Sequence, residues 1–202
     1  MTGTSTAAVP RNPFATRHTA PGRLAPRNAR GDPLDLAALL VRLRAAGRAA
    51  IEGPHGAGKT NLLRALADRL VDDRDLAGLV RPRSPADGPG VLRAVRGAPP
   101  GTTLCIDSWE ALGRTWAVAV RWTAWRRGVG LLVTSHRPTG MTMLVRCETS
   151  PDLLARLVED LPPHGGLIDG ADVERAFRRH RGDVREALYD LYDRFERRAR
   201  AR

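Results

Sequence analysis

The sequence predicts an α/β, three-layer αβα fold: a five-stranded, mainly parallel sheet with a small C-terminal helical subdomain. Three observations lead to it. Short apolar runs alternate with helix-periodic segments across residues 32–149, the pattern of strands joined by crossover helices. One of those runs, "TTLCID", reads as a parallel strand buried on both faces. From Ser150 onward only helical periodicity remains. A length of 202 residues suits one domain with a small appendage, and no internal repeat is visible.

The elements follow in order. Residues 1–31 are rich in Pro, Gly, Arg, Thr and Ala without periodicity, which predicts a flexible or loosely docked basic arm. "GDPLDLAALLVRLRAAG" predicts a helix with Asp32 as N-cap, Pro33 at its first position, and Leu36, Leu39, Leu40 and Leu43 on one face. A strand, "RAAIE", runs into a glycine-rich loop, and Lys59 opens a helix striped by Leu62, Leu63, Leu66 and Leu70. Within 71–102, "GLVRP" reads as a short strand and "GVLRAVRG" as a short helix, each broken by Pro or Gly. "TTLCID" reads as a buried parallel strand. A helix from about Trp109 to Arg127, the strand "GLLVTS" and a fifth strand, "MTMLVRCET", complete the core over 32–149. "SPDLLARLVEDL", "ADVERAFRRH" and "DVREALYDLYDRFERR" predict a helical lid over 150–197, with 198–202 as a basic tail.

Composition narrows the class. No apolar run is long enough for a transmembrane helix, and "MTGTSTAAVPRNPF" lacks the apolar centre of a signal peptide. Cys105 and Cys147 lie in strand-like runs without metal-ligand spacing. They are expected to be reduced core residues of a cytoplasmic protein with no membrane partner. The net charge of +11 is concentrated at the ends, +4 in residues 1–33 and +4 in residues 194–202. Basic ends of this kind suit nucleic-acid phosphates, or equally serve as solvated tails of an Arg-rich chain.

One lysine stands among thirty-three Lys and Arg residues, and it falls in "GPHGAGKT". Gly53, Gly58, Lys59 and Thr60 match G-x-x-x-x-G-K-[ST], between a strand and a helix. In that setting the backbone of Gly53, Pro54, His55, Gly56, Ala57 and Gly58 can curl around phosphate oxygens at a helix N-terminus, with Asn61 in its first turn. Lys59 supplies a compact ammonium for the terminal phosphates, and Thr60 a hydroxyl for Mg²⁺. Arginine's wide planar fork cannot take that ammonium's place in a tight loop. The apolar run "TLCID" ends in Asp107, placed to share the metal with Thr60.

With these residues the chain resembles the P-loop NTPases, "GPHGAGKT" and "LCID" standing as Walker A and Walker B. The resemblance implies ATP and Mg²⁺ as cofactors, with Lys59 and Asp107 as catalytic groups. Many such ATPases carry Glu directly after the metal-binding Asp. Here that position is Ser108, and Glu110 is the nearest acid, the candidate general base. "LLVTSHRP" brings Thr134, Ser135 and His136 to a strand end, where AAA+ proteins carry a polar sensor. His136 reaches furthest and is the preferred contact to the γ-phosphate or its water. "GDVREAL" resembles the second-sensor motif of AAA+ proteins of the initiator and clamp-loader type, which makes Arg185 the lid residue that touches the γ-phosphate. Asp183 and Glu186 are expected to form a capping box there.

These expectations describe a slow Mg-dependent AAA+-like ATPase that couples nucleotide state to its lid or to a partner. The partner is a second copy, another protein or nucleic acid. A nucleotide-gated binding module with negligible hydrolysis and a small-molecule kinase are the alternatives. All four tryptophans fall on the predicted 109–127 helix. Trp109, Leu112, Trp116 and Val120 lie on one side, and Val118, Trp122, Trp125 and Val129 on the other. The second stripe is expected to meet the N-terminal arm, another subunit or a partner. In a subunit contact, Arg114, Arg121 or Arg126 would act on a neighbour's nucleotide.

Overall fold

The computed structural model describes residues 11–201. Five strands, β1 (Arg48–Glu52), β2 (Leu76–Val80), β3 (Thr103–Ile106), β4 (Gly130–Ser135) and β5 (Thr142–Arg146), form one sheet in the order β2-β3-β4-β1-β5. Every pairing is parallel, so the sheet is wholly rather than mainly parallel. Glu52 lies opposite Ser135, and Ile106 opposite Val133, which aligns the carboxyl ends of β1, β3 and β4 along one edge.

The helices are α1 (Thr16–Thr19), α2 (Leu36–Ala46), α3 (Lys59–Asp72), α4 (Gly88–Gly97), α5 (Gly113–Arg127), α6 (Pro151–Glu159), α7 (Gly170–Arg179) and α8 (Val184–Arg200). Strand side chains alternate faces, and here both faces are apolar. Ala49, Ile51, Cys105 and Leu132 pack under α2 and α3. Ala50, Leu104, Ile106, Leu131 and Val133 pack under α4 and α5. The result is three layers. The last three helices build a separate core around Leu154, Ala176, Ala187, Leu191 and Phe195. Among the described residues no helix is long and apolar enough to cross a membrane.

Local structure departs from the sequence expectations at three places. Asp35, not Asp32, caps α2, its carboxylate accepting from the Ala38 amide at 3.0 Å. Asp32 and Pro33 belong instead to a turn in which the Asn28 side chain accepts from the Arg30 and Asp32 amides, bridged by Arg27 and Pro33. The helix expected from Trp109 is split. Ser108 takes a left-handed φ of 74°, Trp109–Leu112 forms a 3₁₀ turn, and Gly113 (φ 68°, ψ 170°) breaks the path before α5 begins. At α8 the Asp183 half of the capping box forms, accepting from the Glu186 amide at 3.1 Å, while the Glu186 side chain stays exposed.

The two stripes divide as the helical geometry demands, with one change. Trp109, Leu112 and Val120 are buried, and the Trp116 ring presses on Gly88 of α4, where any Cβ would collide with it. Val129 is also buried, because the left-handed Gly128 ends α5 and turns the chain into the core. Val118, Trp122 and Trp125 remain 60%, 55% and 62% exposed. The described part of the arm does not cover them; it lies on α3 and the C-terminal helices. Phe14 is 1% exposed in the C-terminal core, its ring 6.4 Å from that of Phe195. Asn12 donates to the Tyr192 carbonyl (3.1 Å) and to Glu196 (2.9 Å), and Arg27 forks onto Asp160 through two 2.9 Å bonds. Residues 1–10 and 202 lie outside the described residues, so of the arginines at the two basic ends only Arg202 is not described.

Candidate functional site

The glycine-rich loop leaves β1 at the carboxyl edge of the sheet, where crossover connections open a crevice. Its path needs glycine at two crowded points. Gly53 has φ 152° with its Cα against the Cys147 carbonyl, and Gly56 has φ 68° with its Cα against the Asp183 carboxylate at the start of α8. The loop thus touches β5's exit on one side and the C-terminal helices on the other. Burial pushes the Cys147 thiol up to about 11, so it is neutral there despite the nearby ammonium of Lys59.

Lys59, at the first turn of α3, is 7% exposed. Its Nζ donates to the carbonyls of Gly53 (2.7 Å) and Pro54 (2.5 Å) and lies 3.0 Å from His136 Nδ1. Three acceptors therefore take the three ammonium protons. Burial lowers the Lys59 pKa, partly opposed by Glu110 and Asp107. Because an ammonium only donates, His136 Nδ1 must accept, which assigns the proton to Nε2. Nε2 lies 3.2 Å from Glu110 Oε1. Burial and then Lys59 lower the His136 pKa below its ordinary 6.5, in keeping with a neutral ring. His55 stacks on that ring at 3.5 Å between centroids. Lys59, His136 and Glu110 thus lie in series, a hydrogen bond joining the first two and a close polar contact the last two.

Asp107 follows β3 and is 3% exposed. Thr60 Oγ1 donates to its Oδ1 at 3.0 Å, and so does Thr134 Oγ1 at 2.7 Å. The Ser108 amide donates to Thr134 at 2.8 Å, so the left-handed turn at Ser108 locks β3 to β4. Ser135 is buried and only accepts from the Arg137 amide, away from this chemistry. Arg81, at the end of β2, places Nε 3.4 Å from Asp107 Oδ2. Nothing in the sequence marked it among so many arginines.

A cavity of about 510 Å³ joins these groups to the arm and the C-terminal helices, within the ordinary range for small-molecule sites. Its polar lining includes Lys59, Thr60, Asp107, Arg81, His136 and Arg185. Arg185 has no hydrogen-bond or ion-pair partner among the described residues. Its apolar lining includes Leu24, Ala25 and Pro26 of the arm, Leu34, and Leu153 and Leu188 of the C-terminal helices. His55, Gly56, Ala57, Gly58 and Asn61 line the cavity; Gly53, Pro54 and Glu110 stand behind or beside it. Asn61 has a further task that the sequence did not announce. Its Oδ1 accepts from the Gly22 amide (2.7 Å) and its Nδ2 donates to the Leu24 carbonyl (2.8 Å), fastening the arm over the opening.

A comparison with protein-family models found no match, and neither did one with curated proteins. The chemistry is therefore argued from the groups themselves. The loop amides at the head of α3, together with Lys59, Arg81 and Arg185, can attract a polyanion. A hydroxyl and a carboxylate 3.0 Å apart at Thr60 and Asp107 are hard oxygen donors suited to Mg²⁺ shared with phosphates.

Proposed function

We propose that the chain is a P-loop NTPase similar to AAA+ ATPases, binding Mg-ATP between its α/β core and a C-terminal helical lid. The observation that carries this reading is a single cavity lined both by Lys59, Thr60 and Asp107 and by apolar residues of the arm and the C-terminal helices. A nucleotide has the matching form, a polyphosphate joined to a flat and largely apolar base. Lys59 would turn its protons from the loop carbonyls to the terminal phosphates, and the loop amides would hold the remaining oxygens. Thr60 and Asp107 would hold Mg²⁺, which supplies neutralisation of phosphate charge. Thr134 keeps Asp107 Oδ1 oriented. Arg81 and Arg185 bring positive charge from the sheet edge and the lid. Glu110, with Oε1 3.2 Å from His136 Nε2, would take a proton from water.

Hydrolysis is slow in this reading, because Ser108 occupies the position next to Asp107 and Glu110 lies beside rather than in the cavity. The same observation favours a second reading, a nucleotide-gated binding module with negligible turnover. A cytoplasmic location accompanies both, consistent with two free cysteines. A second copy, another protein or nucleic acid remains the proposed partner class.

ATP binding and turnover by wild type, Lys59→Ala and Glu110→Gln separate the readings. The ATPase reading expects lost binding in Lys59→Ala and retained binding without turnover in Glu110→Gln. Undiminished ATP binding by Lys59→Ala would refute the nucleotide site, and binding without wild-type turnover would leave the gated module.

A further inference from the structure

The α4 and α5 face of the sheet lies away from the cavity, and its charge is one-sided. Between Gly88 and Cys147 the only acidic residues are Asp107 and Glu110, both committed to the site described above. Over the same helices stand Arg93, Arg96, Arg114, Arg121, Arg126 and Arg127. None of the six has a carboxylate partner among the described residues. Elsewhere arginines do pair: Arg44 with Asp73 and Asp75, Arg156 with Glu159, Arg178 with Glu174. Amid the unpaired charges, Val118, Trp122 and Trp125 stand in one exposed stripe of α5, and the Arg126 guanidinium lies 5.0 Å from the Trp122 ring centre.

We infer that this face binds single-stranded nucleic acid, its phosphates on the arginines and its bases stacked on Trp122 and Trp125. Charge complementarity selects a polyanion. A second copy of the chain docked on this face would set arginines against arginines with no carboxylate between them. A duplex offers phosphates but keeps its bases stacked inside, which leaves the indoles unused. A single strand uses both features, since any unpaired base has a face that stacks on an aromatic ring. Three apolar side chains give too little area to anchor the protein in acyl chains. The inference does not depend on nucleotide binding at the cavity.

The test uses the full-length protein with a labelled oligothymidylate of about 20 nucleotides, followed by anisotropy and by tryptophan emission. Trp109 is buried and Trp116 is packed on Gly88, so stacking quenches emission from Trp122 and Trp125. Expected are binding with quenching, and a loss of affinity on the order of tenfold or more in W122A/W125A. R114A/R126A, a second variant that leaves the indoles in place, flattens the dependence of log affinity on log salt by about 1.4. Melting curves check that both variants keep the fold. Absence of oligothymidylate binding would overturn the inference. So would affinity unchanged in W122A/W125A, which would assign binding to the basic termini. Equal affinity for polyglutamate, for duplex DNA, or for phosphatidylglycerol vesicles would also overturn it, in favour of a generic anion patch, duplex binding or a membrane contact.

Discussion

At the scale of single residues, the lone lysine is the most informative position. Its three protons point at three acceptors in a space closed by backbone, and a guanidinium cannot distribute its donors in that way. Lys59→Arg is expected to weaken ATP binding by about 1.5 to 3 kcal/mol, measured by calorimetry, despite conserving charge. Arg81→Ala is expected to lower turnover on the order of tenfold while leaving the melting temperature unchanged, since Arg81 is largely exposed. His136 gives a pH test. Its folded pKa lies below 6.5, so the unfolded chain binds more protons in the interval between the two values. Stability therefore rises with pH across that interval and falls as the ring is protonated. His136→Asn should flatten this part of the pH–stability curve, read from denaturant midpoints. Lys59 and Asp107 were legible because motif spacing and a strand end single them out. Arg81 was not, because in a chain with thirty-three Lys and Arg another arginine carries no signal.

At the scale of elements, the C-terminal helices are held by an unusual centre. Asp172, fully buried at the start of α7, accepts from Arg175, Arg194 and Arg198 and shares a capping box with Asp169. Burial alone would raise its carboxyl, but the bonds from Arg198, Arg175, the Asp169 amide and Arg194 outweigh this and hold it well below the carboxylate range. Its stabilisation is present above the ordinary value of 3.8 and is lost as pH falls towards the depressed one. Asp172→Ala leaves three arginines facing one another and is expected to cost about 3 to 5 kcal/mol, read from urea unfolding. Apolar runs made the strands and helices readable, as period and length separate buried strands from amphipathic helices. The break before α5 was not readable, because Ser108 adopts a left-handed turn that its residue type does not favour and that the bond to Thr134 secures.

At the scale of the whole molecule, the arm is what the sequence concealed. Residues 11–31 have no periodicity to reveal a docking face, and their one large anchor, Phe14, finds its seat far away in sequence. Phe14→Ala is expected to destabilise the protein by about 3 to 5 kcal/mol and to speed tryptic cleavage after Arg17 and Arg23. The arm also changes how the chain must fold. Asn12 meets Tyr192 across 180 positions, and Phe14 packs among side chains of α6, α7 and α8. During synthesis from the N-terminus, the arm is made well before its binding surface, which is absent until α8 has been made. An early segment is therefore among the last to reach its place, and the apolar lining that the arm gives the cavity is completed only once α8 is in place.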